Sequence, residues 1–255
     1  MSLLFTDGGT NRVDHGSGAS LDDPAALTLI LRIYPITIAT VRNLVVKSDG
    51  SLNKKQFTFR QDGNIDLFIS TSGTAISARS SSLTPTANNW FDIAWTVSSG
   101  LAPHIYIGSP TANFAEPTYS VGPTTGTGTM DTEAAGNFIV GNRQAVDNAF
   151  GGRIELVHYL NRDLSLGELK DQQFNPHVVS GSKLFVFEGA NGTGTQTDWS
   201  GNANAGTVTG ATVAANSPRR AWFGHDMERN TTIAAAVTGW APLLGMERNR
   251  LIRAA

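Results

Sequence analysis

The chain has 255 residues, room for one or two domains, and a formal charge of −2. Its 27 glycines and 27 threonines stand against 5 lysines, and only 16% of residues are charged, which disfavours a helical protein and suits short strands joined by tight turns. Cysteine is absent, which excludes a disulfide scaffold, a thiolate metal site and a cysteine nucleophile. The charge is unevenly spread. Residues 1–218 carry 13 basic and 18 acidic side chains, −5, while residues 219–255 carry 6 arginines and 3 acids, +3, and the two recover −2. No stretch approaches 18 apolar residues, so no membrane span is predicted. Met1–Phe5 has neither a basic start nor a long apolar run, so no signal peptide is predicted.

In chain order, Leu27–Ile33 reads as a strand ended by Pro35, and Asn43–Lys47 as a second, closed by the turn Ser48-Asp49-Gly50. Phe57–Arg60 and Ile65–Ile69 form a hairpin around Gln61-Asp62-Gly63. A two-residue loop would pair Phe59 with Asp66. A three-residue loop pairs Phe59 with Ile65 and Phe57 with Leu67, which keeps the apolar face intact and puts Gly63 at the left-handed bulge position. Further strands follow at Trp90–Val97, His104–Ile107, Asn137–Val140, Gly152–Tyr159 and Leu184–Phe187. The Thr-, Gly- and Pro-rich stretch between Pro110 and Gly136 reads as one long loop. Ser165 and Glu168 have capping-box spacing, Leu164 and Leu169 occupy staple positions, and Pro176 ends the helix they start. The fold class is all-β, a two-sheet antiparallel sandwich with one short helix.

A resemblance sharpens this. Phe5-Thr-Asp-Gly8 with Val13, Thr28-Leu29 with Leu44–Lys47, Trp90-Phe-Asp-Ile-Ala-Trp-Thr96, Ile105-Tyr-Ile-Gly108, Ile139-Val-Gly-Asn142, Phe150–Ile154, Leu164–Leu169 and Asp198-Trp-Ser-Gly-Asn202 follow one another in order. The succession resembles the laminin-G-like branch of the concanavalin-A-like lectin/glucanase superfamily. The resemblance implies a jelly-roll domain over residues 1–215, with 216–255 as a C-terminal arm. It also implies glycan recognition by an aromatic platform with amide and arginine donors, for which Trp90, Tyr106, Asn142 and Arg143 are the candidates. Trp90 and Trp95 are an odd number of residues apart, so one is predicted in the core and the other outward. Many relatives bind calcium at a sandwich rim. Asp198, Asn202 and Asn204 form one oxygen-rich turn and Asp7, Asn11 and Asp14 another, although Asp and Asn are also ordinary turn residues. The leading expectation is no cofactor, with calcium second.

Catalysis finds little support. The glycosidases of the superfamily carry E-x-D-x-x-E, and this chain has no such string. Glu155 has no acid at i+2 or i+5, and Asp131-Thr-Glu133 lies in the predicted loop, so these read as solvated surface acids. No serine elbow, phosphate loop or zinc-helix motif occurs. The 5 histidines are scattered, and His104 and His158, on strands, read as hydrogen-bonded structural residues. The chain is predicted to be non-enzymatic, with glycoside hydrolase as the alternative.

Residues 219–255 lie outside the resemblance. They hold two of the five tryptophans and repeat Met227-Glu-Arg-Asn230 as Met246-Glu-Arg-Asn249. The segment is too apolar for a solubilising tail and too small for its own core. Trp222, Arg229, Trp240, Leu243, Leu244, Arg248, Leu251 and Ile252 are therefore predicted to pack on the same sandwich or on a neighbouring subunit. Interleaved glutamates argue against nucleic acid, and Gly239 and Pro242 against a membrane-surface helix. With no export signal, no cysteine and an apolar arm, the leading expectation is a bacteriophage virion structural or decoration protein. It would display a lectin-like jelly roll that binds surface glycans, with partners among its own copies or other virion proteins. The alternative is a free, extracellular carbohydrate-binding lectin.

Overall fold

Period-two burial sets the architecture. In Ile65–Ile69 the side chains of Ile65, Leu67 and Ile69 are buried while Asp66 and Phe68 face outward, and most strands place one such apolar face against a second sheet. The computed structural model describes residues 1–22, 24–38, 41–48, 55–59, 63–132 and 134–217. The predicted arm residues Trp222, Arg229, Trp240, Leu243, Leu244, Arg248, Leu251 and Ile252 lie outside the described residues.

The strands are β1 (Ser2–Phe5), β2 (Arg12–Asp14), β3 (Leu27–Pro35), β4 (Arg42–Ser48), β5 (Lys55–Phe59), β6 (Ile65–Ile69), β7 (Ile76–Ser80) and β8 (Phe91–Val97). After them come β9 (Pro103–Ser109), β10 (Ala112–Ala115), β11 (Tyr119–Thr124), β12 (Asn137–Val140) and β13 (Gly152–Leu160). The single helix α1 (Leu166–Phe174) precedes β14 (Ser182–Phe187), β15 (Thr207–Thr209) and β16 (Thr212–Ala214). The first sheet runs β10-β9-β8-β3-β13-β1-β16, with β14 also on β13, and the second runs β11-β7-β6-β5-β4-β12-β2-β15. All these pairings are antiparallel, and the sandwich is a jelly roll. No helix among the described residues is long and apolar enough to cross a membrane.

The core lies between the sheets. Trp95 of β8 meets Phe57 of β5 at a centroid distance of 5.1 Å, and Tyr159 of β13 meets Phe138 of β12 at 5.3 Å, so each aromatic pair bridges the two layers. Trp95 is fully buried and Trp90 is half-buried on the opposite side, as their odd spacing requires. The hairpin has the register that protects its apolar face: Phe57 pairs with Leu67 and Phe59 with Ile65, and Gly63 has φ +78°. A smaller cluster covers the outer face of the first sheet, where Leu164 and Leu169 pack on Ile30, Ala94, Phe114 and Leu160. The capping box is present, with the Ser165 side chain accepting from the Glu168 N–H and the Glu168 carboxylate accepting from the Ser165 N–H.

Two sequence expectations are corrected. The stretch between Pro110 and Gly136 is not one loop, because it contributes β10 and β11, each at a sheet edge. Their pairing with β9 and β7 is irregular and their side chains are mostly exposed, so backbone hydrogen bonds form them without an apolar pattern to betray them. Glu155 is not a solvated surface acid, being 2% exposed and accepting the Ser217 N–H at 2.9 Å. β13 slips against β3 between Ile154 and Leu156, and this bulge at Glu155 breaks the alternation that the sequence suggests. Asp131, by contrast, is half-buried and accepts from the Ser70 hydroxyl, while Glu133 lies outside the described residues.

Candidate functional site

The outward face of the second sheet carries a straight polar row. Strand register pairs Asn43 with Thr58, Thr58 with Asp66, Asp66 with Arg79 and Arg79 with Val121. Five neighbouring strands thus contribute one residue each. One step along, Phe68 pairs with Ser77. These residues line a groove of about 270 Å³ whose wall also includes Arg143 and Asn148. Phe68 and Val121 are 40% and 43% exposed while Asn43 and Thr58 are buried, so the accessible part of the row is Asp66 and Arg79 beside apolar surface.

The part of the wall that carries Arg143 and Asn148 is the segment between β12 and β13. It leaves the sheet at Gly141, whose φ is +77° and whose position admits no Cβ, since one would overlap the Phe5 ring. Asn142 then fixes the path. It is fully buried, donates its amide hydrogens to the Gly9 and Asn11 carbonyls, and accepts from the Arg143 and Asn148 N–H groups. With all four hydrogen-bonding positions engaged, Asn142 shapes the wall and offers a ligand nothing directly. Asn148 donates to the Asn43 side chain at 2.9 Å and accepts from Arg42 at 3.0 Å, and Arg42 in turn donates to Asp7 at 2.6 Å. Arg143 grips Asp147 through two N–H donors at 2.6 and 2.7 Å, which holds the Asp147 carboxyl below its usual range. Arg79 grips Asp66 in the same way, at 2.8 and 3.2 Å. Each arginine among the described groove residues is thus balanced by a carboxylate, and the surface they form is rich in oriented donors and acceptors with little net charge. Asp66 is the only acid lining the groove among the described residues, so the pair of carboxyls that glycoside hydrolysis requires does not assemble there.

The four residues expected to recognise a glycan do not come together. Arg143 is in the groove wall and Asn142 behind it, while Trp90 lies on the other sheet beside Tyr34, at a centroid distance of 5.3 Å. Tyr106 packs on the Ile30–Ala94–Phe114 cluster, with burial pushing its hydroxyl pKa up. The three calcium candidates do share one turn, but the two oxygens of its one carboxylate are taken. Asp198 accepts the Phe185 N–H at 3.0 Å, the Ser200 N–H at 2.9 Å, the Ser200 hydroxyl at 2.8 Å and the Asn204 N–H at 3.0 Å. Asn202 donates to the Ser182 carbonyl, and Asn204 to Ser20 and the Lys183 carbonyl. An ion would have to strip the bonds that close the turn, so this donor set fits a protein clasp and not calcium. Among the described residues no three His, Asp or Glu side chains gather in a metal-holding group.

Sequence reasoning missed the groove. The hairpin register already places Thr58, Asp66 and Phe68 on one outward face, a signal that was available, but nothing local says that Asn43, Arg79, Val121 and Asn148 join them. It also missed His15, a buried residue whose ring nitrogens face the Asn204 carbonyl at 2.9 Å and Glu188 at 3.2 Å.

The family model for the laminin-G-like domains of the concanavalin A-like lectin/glucanases superfamily matches residues 7–170. The chain belongs to this superfamily. A search of curated proteins finds no match. Among solved structures the chain is similar to a candidate carbohydrate binding protein from Bacteroides ovatus, with 14% identity and a TM-score of 0.60 over 86% of this chain. The match spans 62% of that protein's length. Looser similarity extends to a carbohydrate-binding module of a Ruminococcus gnavus sialidase, at 13% identity and a TM-score of 0.47 over 66% of this chain and 94% of that one. It also reaches tailspike protein 2 of an Escherichia coli O157:H7 bacteriophage, at 15% identity and a TM-score of 0.41 over 64% of this chain and 26% of that one.

Proposed function

We propose that this superfamily member is a non-catalytic, carbohydrate-binding domain that takes a glycan along the groove on its second sheet. The observation that carries the reading is the cross-strand row Asn43–Thr58–Asp66–Arg79 beside the exposed Phe68 ring. A sugar presents hydroxyls around its edge and C–H groups on its face. The Asp66–Arg79 ion pair, held in fixed geometry with Asn43 and Thr58 buried beside it, matches the edge, and an exposed ring matches the face. The single acid among the described groove residues is already bound to arginine, which suits recognition and leaves hydrolysis without its second carboxyl there.

A glycan array probed with the wild-type protein and with Phe68→Ala and Arg79→Ala tests this. Binding of at least one glycan is expected, weakened about tenfold or more by either variant, about 1.4 kcal/mol. Absence of any bound glycan, or variants that bind as the wild type does, would overturn it.

The second reading adds display on a virion, with residues 216–255 as the anchoring arm. What supports it is composition: a cysteine-free chain whose last 37 residues carry 6 arginines and two tryptophans. Native mass measurement of the full chain, and of one lacking residues 219–255, tests the anchoring. A closed oligomer lost on truncation supports it, and a monomer in both cases rejects it.

A further inference from the structure

The outer face of the first sheet is covered only in part. Under α1, Arg32 donates to Asp92 at 2.6 Å and to the Gln173 carbonyl at 2.6 Å, and the Gln173 amide bonds Asp92 at 3.2 Å, so this stretch is sealed. Past the helix, Tyr34 and Trp90 are half-buried, with their rings tilted 53° to one another. Arg153, the cross-strand neighbour of Tyr34, lies with Cζ 4.7 Å from the Tyr34 ring centroid, a cation–π contact that steadies the ring. The two rings wall a cleft of about 450 Å³, with Asn88, Asn89, Pro110 and Thr111 around it and no charged side chain among its described lining residues.

Ser109 and Thr111 bond each other at one edge of the cleft, at 3.2 Å, while two polar groups beside the rings are unengaged. The Trp90 indole N–H and the Asn88 side-chain amide make no hydrogen bond among the described residues. Asn89 donates to Thr86 and the Ala87 carbonyl at 3.1 and 3.2 Å, leaving its own oxygen to accept. Asn88 is held in place by its backbone, with φ +62° and its N–H on the Pro35 carbonyl at 2.7 Å. Aromatic faces beside an unbonded amide and a second amide's open oxygen are the surface that a sugar ring's C–H face and hydroxyl edge require. An acidic ligand would find no cation among the described lining residues, and the nearby Arg153 guanidinium lies against the Tyr34 ring. A purely apolar one would cover the indole N–H and the amide without satisfying them.

We infer that this cleft is a second saccharide site, for a neutral hexopyranose chain, independent of the groove on the opposite sheet. Its test is an NMR titration of the full chain with cellohexaose, maltohexaose and mannohexaose, following the indole N–H signals, with Trp90 assigned from Trp90→Phe. At millimolar concentration at least one hexaose should shift the Trp90 signal. Asn88→Gly, which removes the amide while glycine accepts the positive φ, should weaken that response about tenfold. Phe68→Ala should leave it unchanged, which separates this site from the groove. No shift with any of the three sugars, a response indifferent to Asn88→Gly, or tighter binding of a sulfated heparin hexasaccharide at Trp90 would overturn it.

Discussion

Asp66 and Arg79 face each other directly across β6 and β7, and the guanidinium holds the carboxylate with two parallel N–H donors. The register that makes them neighbours is the one that buries Ile65, Leu67, Ile76 and Ala78. A one-residue slip of either strand would drive a charge into the core, so the core pins the ion pair and the ion pair orients the groove.

Arg79→Lys keeps the charge and loses the fork. Glycan affinity should fall several-fold, less than for Arg79→Ala. Stability should drop by about 1 kcal/mol or less in either variant, because the pair is partly exposed. Calorimetric titration alongside urea unfolding reads both. An Arg79→Lys protein that binds as tightly as the wild type would mean that the fork does not orient a ligand.

Two buried histidines give opposite pH dependences. Burial disfavours a charged His15, but Glu188 and the Asn204 carbonyl outweigh it and raise its pKa above 6.5. The stabilisation is complete below 6.5 and is lost as pH rises through the raised value. Burial pushes His158 down to about 4, so the unfolded chain takes up the proton first and stability falls as pH drops from about 6.5 toward 4. His15→Gln should flatten the alkaline side of a plot of urea midpoint against pH and spare the acid side. A profile superimposable on the wild type would reject the His15 assignment.

If Asp198 is a clasp, chelation should do nothing. The thermal midpoint is expected to be the same with EDTA, with added calcium and with neither. Asp198→Ala should cost about 3 kcal/mol through lost hydrogen bonds to a charged acceptor. A midpoint that rises with calcium would restore the metal site.

Gly141→Ala should lower stability by about 3 kcal/mol, because a side chain there meets both a positive φ and the Phe5 ring. Since Gly141 starts the wall that carries Arg143, the variant should also weaken glycan binding at temperatures where it is still folded. Unfolding and array measurements on one preparation separate the two effects.

Local chemistry carried much of the fold. Alternating apolar residues, Gly63 and the Ser165–Glu168 spacing act within a few residues of themselves, and they settle strands, a hairpin register and a helix start whatever lies across the sheet. The edge strands β10 and β11 escaped because their residues bury little, and Glu155 escaped because a bulge in a partner pairing re-aims it.

The candidate sites belong to the other kind of information. Asn43 and Arg79 are far apart in the chain, as are His15 and Glu188, 173 residues apart. The sequence by itself determined which side chains point out of each regular strand, because that depends on period two, and it failed at Glu155, where a bulge breaks the period. Only the tertiary structure decided which strands lie side by side. It thereby placed Arg143 in the wall of a polar groove and Trp90 in an aromatic cleft on the opposite sheet, because pairing between distant segments is selected by the burial of the whole core.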